Sequence, residues 1–105
     1  ACNPYLAFAV MLAAGLEGIE KGYECPPPVE ENVYEMTEER RCELGIGTLP
    51  DSLEEAITEC EKSDVVRRAL GDEVFQKLLD NKRLEWDRYR VQVHRWEIDT
   101  YLPIL

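Results

Sequence analysis

Few residues in this chain have side chains that could do chemistry, and their spacing argues against an active site. The single histidine, His94, stands beside Arg95 and Trp96. A general base needs a partner to orient it and a cleft to work in, and the flanking residues specify neither, so His94 reads as structural. Cys2, Cys25, Cys42 and Cys60 are too widely separated for a zinc knuckle, and no Cys-x-x-Cys occurs. An even count permits two disulfides, but a helix-rich pattern fits reduced, structural thiols better. Glutamates are abundant, yet adjacent ones such as Glu38-Glu39 and Glu54-Glu55 point to different helix faces and read as solvation. Gly45-Ile46-Gly47 lacks the flanking strand and helix of a phosphate-binding loop. Tyr34, in Glu31-Asn32-Val33-Tyr34-Glu35, has two readings: an exposed hydroxyl open to modification, or a loop anchor packed on the helices. No metal, nucleotide or catalytic site is expected in these residues.

The elements around these residues are helical. The chain has 105 residues, enough for one small domain or a piece of a larger one, and its hydrophobic content of 45% opposes disorder. A formal net charge of −10 opposes nucleic-acid and anionic-membrane partners. Asn3-Pro4 is a helix-start signal, and from Tyr5 to Leu16 no charged residue appears. A helix without a polar face is normally buried on all sides. Residues 1–22 are therefore expected to form a buried helix ending at Gly22, with Gly15 and Gly18 marking close approach of neighbouring backbone. The uncharged run is too short for a bilayer, which needs about twenty residues. It also lacks the initiator Met and basic start of a secretory signal. The chain reads as cytoplasmic and as cut from a longer protein.

Pro26-Pro27-Pro28 makes residues 23–36 a Pro-rich loop. Residues 37–93 read as surface helices. The first starts at Thr37 and is stopped by Leu44-Gly45. The next opens on a Ser52/Glu55 capping box, and a short one, capped by Ser63 or Asp64, ends at Gly71. A long one capped by Asp72 carries Phe75, Leu79, Trp86, Tyr89 and Val93 as its apolar stripe. Residues 94–105 form an apolar tail, with Trp96, Ile98, Tyr101, Leu102, Ile104 and Leu105 crowded around a helix-breaking Pro103. So much apolar surface at a chain end calls for a docking partner, and another subunit is favoured. No strand of useful length appears; the fold class is all-α.

Asn3-Pro4-Tyr5-Leu6-Ala7-Phe8-Ala9 resembles the segment after the last active-site strand in type I glutamine synthetases, the bacterial and archaeal dodecamers. The likeness continues through Gly15-Leu16-Glu17-Gly18-Ile19, Glu31-Asn32-Val33-Tyr34, Leu49-Pro50-Asp51-Ser52-Leu53-Glu54-Glu55-Ala56, Ala69-Leu70-Gly71-Asp72-Glu73-Val74-Phe75, Lys82-Arg83-Leu84-Glu85-Trp86-Asp87 and Gln92-Val93-His94-Arg95-Trp96-Glu97. The resemblance implies a C-terminal helical part of a catalytic domain whose barrel lies upstream. The whole enzyme would be an ATP-dependent ligase joining glutamate and ammonia through γ-glutamyl phosphate, with Mg or Mn at its site and other subunits of a dodecameric homo-oligomer as partners. The family's metal, nucleotide and phosphate-facing residues lie upstream, so this piece would be inactive and bind none of these cofactors.

Tyr34 aligns with the tyrosine adenylylated in some family members. Tyr34-Glu35-Met36-Thr37-Glu38 departs from the modified group's Tyr-Asp-Leu-Pro-Pro, however, and is closer to the subgroup under feedback inhibition. The tail, from Trp96 through Ile98, Tyr101, Leu102 and Pro103 to Ile104 and Leu105, matches the family's segment that enters an apolar pocket on the opposite ring. The residues by themselves leave two other readings open: a free-standing acidic helical protein-interaction module, and a secreted four-cysteine protein.

Overall fold

A computed structural model describes residues 2–105. Among them six α-helices and two 3-10 turns form and no strand, so the protein is all-α. Helix α1 spans Pro4–Lys21. Asn3 Oδ1 accepts from the Tyr5 and Leu6 backbone N–H groups, and Pro4 occupies the position where a missing N–H costs nothing. Gly22 ends the helix at φ +63°, a conformation that penalises any side chain. The Tyr23 N–H then closes on the Gly18 carbonyl.

The loop that follows contains a 3-10 turn at Val33–Glu35 and leads into α2, Glu38–Glu43, capped by the Thr37 hydroxyl. Helices α3 (Leu53–Lys62), α4 (Asp64–Leu70) and α5 (Asp72–Tyr89) follow, and single residues separate them. Ser63 ends α3 and caps α4 through its hydroxyl, which accepts from the Val66 N–H. Gly71, at φ +76°, ends α4 and begins α5. Helix α6 spans Arg95–Tyr101 and runs into a 3-10 turn at Leu102–Ile104.

The core lies where α3 and α5 meet. Ile57, Phe75 and Leu79 are buried there, with Leu53, Cys60, Val66, Leu70 and Trp86 packed around them. Helix α4 bridges this unit to α1, the only main packing partner of α1. The radius of gyration is 18.6 Å, whereas a compact domain of this length would have about 13 Å. The helices are spread out because little apolar surface is shared between them.

Within this chain α4 covers only one side of α1, and no residue of α1 is fully buried. Other local expectations are corrected by the structure. No neighbouring atom approaches Gly15, and Gly18 meets only the Tyr23 ring. The Ser52 hydroxyl accepts from the Glu55 N–H as a capping box requires, but the Glu55 carboxylate reaches back to the Asp51 N–H. Asp72 is the first residue of α5 rather than its cap. Helix α5 stops at Tyr89, short of Val93, because Val91 and Val93 find no apolar surface beneath them and are exposed. The tail is more regular than Pro103 suggested. Its first seven residues after His94 are α-helical, started by the His94 N–H donating to the Glu97 carboxylate at 2.7 Å.

Candidate functional site

Two apolar surfaces are open. Along α1, Tyr5, Phe8, Met11, Leu12, Leu16 and Ile19 are all more than half exposed. Elsewhere, Trp96, Leu102, Ile104 and Leu105 project from α6 and the turn after it, Leu105 being 99% exposed. The Trp96 and Tyr101 rings meet edge to face with centroids 5.8 Å apart, and α6 packs chiefly on the turn that follows it. An apolar surface of this extent is rare on a finished monomer and marks a contact face.

Tyr34 lies at the centre of the Val33–Glu35 turn, where Asn32 Oδ1 accepts from its N–H. Its side chain is 95% exposed, so the loop-anchor reading fails, whereas Met36 nearby is half-buried. Arg40 ties the loop to α2. Its Nη2 and Nε donate to the two Glu31 carboxylate oxygens at 2.6 and 3.3 Å, and its Nη1 donates to Glu43 at 3.1 Å. The forked Arg40 contact holds the Glu31 carboxyl below the usual carboxylate range.

Several other acidic side chains stand in similar pairs. Glu61 meets Arg83 at 2.7 Å, Glu73 meets Lys77 at 2.6 Å, and Glu85 meets Lys82 at 2.6 Å. Among the described residues no three His, Cys, Asp or Glu side chains converge as metal ligands would. The ring of His94 lies against Tyr89, centroids 5.0 Å apart and planes tilted by 44°. All four cysteines are free thiols, Cys60 half-buried and the others exposed. No helix among the described residues is long and apolar enough to cross a membrane.

Comparison with known proteins identifies the family to which these surfaces belong. The family model described as glutamine synthetase, catalytic domain, matches residues 1–101. The chain belongs to the glutamine synthetase family. It is 50% identical over 101 residues to the glutamine synthetase of Thermus thermophilus, covering 96% of this chain and 23% of that protein. It is 51% identical over 104 residues to the glutamine synthetase of Mycobacterium tuberculosis strain H37Rv, covering 99% of this chain and 23% of that protein. The glutamine synthetase of Methanosarcina mazei is 48% identical over 105 residues, covering 100% of this chain and 24% of that protein. The chain thus spans about a quarter of the length of the relatives it matches.

The open apolar surfaces of this glutamine synthetase segment were legible from composition, as a helix without a polar side and a greasy chain end. The Arg40–Glu31 clamp was not, because a separation of nine positions across an irregular loop gives no periodic signal.

Proposed function

We propose that this chain is the C-terminal helical part of the catalytic domain of an ATP-dependent glutamate–ammonia ligase, and that its contribution is structural. In this reading α1 lays its apolar stripe on the catalytic body, while the segment from Trp96 to Leu105 contacts another subunit of a homo-oligomer, a dodecamer, in the cytoplasm. ATP and Mg or Mn belong to the catalytic body. The γ-glutamyl phosphate chemistry belongs there too, a reading supported by the acidic side chains of the described residues being dispersed rather than gathered. Tyr34 is read as an unmodified surface residue, since the residues after it depart from the adenylylated pattern.

The observation that carries the reading is the pair of open apolar surfaces, on α1 and on the tail, in a chain that belongs to this family. Two measurements test it. The 105-residue chain assayed with glutamate, ammonia, ATP and Mg is expected to form no glutamine, and formation of glutamine overturns the assignment of chemistry elsewhere. In the full-length protein, removal of residues 96–105 is expected to convert the assembly to smaller species by mass photometry. An unchanged assembly overturns the role of the tail.

A further inference from the structure

Helix α1 meets α4 without any fully buried residue, its apolar Leu6, Val10 and Ala13 being half-buried. What the contact does contain is a polar node. Glu17, whose side chain is only 14% exposed, accepts from Lys21 Nζ at 3.0 Å, from the Tyr23 hydroxyl at 3.1 Å and from Arg68 Nη2 on α4. Around the node stand Ala13, Leu16, Val65 and Ala69. Asp64 and Arg67 on α4 and Glu20 on α1 are the other charged groups beside it.

The three donors come from different places. Lys21 is the last residue of α1, Tyr23 follows the Gly22 turn, and Arg68 lies on the neighbouring helix. The Lys21 ammonium also sits 5.8 Å from the Tyr23 ring centroid. One carboxylate therefore fixes the end of α1, the exit of the chain and the register against α4. Lys21 first, then Tyr23 and Arg68, hold the Glu17 carboxyl below the usual carboxylate range, so the node is charged at neutral pH.

We infer that Glu17 is the pivot that sets the direction of α1 on α4, and that its ionised carboxylate rather than apolar burial fixes the angle between α1 and the α3–α5 unit. Glu17 is a positioning residue, and its role does not depend on the ligase reading. Apolar packing tolerates sliding and rotation, whereas a carboxylate satisfied by donors from three segments admits one arrangement.

Hydrogen exchange read by mass spectrometry on the whole protein tests the inference. Glu17→Gln and Arg68→Met are each expected to speed exchange of amides 18–23 and 64–70 about threefold, with amides around Phe75 and Leu79 unchanged. The double variant is expected to add nothing beyond either single one, and Arg68→Lys to restore most of the protection. Unchanged exchange in Glu17→Gln, strictly additive effects, or equal loosening of α5 overturns it. Should a variant fail to fold, the unmodified protein still decides. Raising salt to about 1 M is expected to loosen amides 18–23 selectively, and a uniform or absent salt response overturns the inference.

Discussion

The guanidinium of Arg67 lies over the ring of Phe75, 4.5 Å from its centroid, and reaches the Asp72 carboxylate at 3.6 Å. Phe75 is completely buried, and Arg67 forms part of its cover from α4. The arginine thus joins the end of α4 to the start of α5 across Gly71. Phe75→Ala is expected to destabilise the protein by about 3–5 kcal/mol, and Arg67→Met by about 0.5–1 kcal/mol, in urea unfolding. A Phe75→Ala cost near that of an exposed position would show that the α3–α5 core does not hold the fold.

Caps carry unusual weight where helices are this short. Ser52→Ala and Ser63→Ala are each expected to cost about 1 kcal/mol, read as a shift of the urea midpoint at constant slope. Ser63 serves two helices at once, so its loss should also increase hydrogen exchange at both the end of α3 and the first turn of α4. An effect confined to one of them would contradict the shared-residue geometry.

Acid should loosen the protein in a defined window. Hydrogen bonds from Lys21, Arg40 and Lys82 lower the carboxyl pKa values of Glu17, Glu31 and Glu85 respectively. A carboxyl with a folded pKa below its unfolded value of about 4.3 contributes stability that is fully present above that pH. That contribution is lost as pH falls through the folded values. The urea midpoint is expected to be flat from about pH 8 to pH 5.5 and to fall below about pH 4.3. The fall should be shallower in a variant carrying Glu17→Gln, Glu31→Gln and Glu85→Gln together. Equal slopes in the two proteins would remove these pairs as the cause.

Thiol reactivity should separate one cysteine from three. Burial, and then the neighbouring Glu61 charge, push the Cys60 thiol pKa up. Cys2, Cys25 and Cys42 are exposed. With iodoacetamide at about pH 7.5, Cys60 is expected to react about tenfold more slowly than the others, and at a similar rate once the protein is denatured. Peptide mapping over time reads this directly. A fast-reacting Cys60 in the native protein would place it outside the core.

Local chemistry was the most legible part of this chain. Asn3-Pro4, Thr37, Ser52 and Ser63 announce helix starts, and Gly22, Gly45 and Gly71 announce stops, because capping depends on residues a few positions apart. The long apolar stripe of α5 was legible only over its buried part. Phe75 and Leu79 are buried in the core with Ile57 of α3, whereas Tyr89 and Val93 stay more than half exposed, and periodicity alone cannot tell a buried face from an open one. Helix α6 was hidden by its composition, since a crowd of apolar residues before Pro103 signals burial more strongly than it signals helix. The exposure of Tyr34 and the node at Glu17 depend on residues far apart in sequence. Nothing in a single sequence encodes that Arg68 will stand beside Glu17.

Ser63 and Gly71, the only residues between α3, α4 and α5, leave that part of the protein with no slack. One inserted or deleted residue at either joint would rotate everything beyond it by about 100° around the helix axis, carrying Phe75 and Leu79 away from Ile57. An inserted residue is therefore expected to be tolerated best in the segments 24–36 and 44–51, where the backbone can absorb it without turning a helix face.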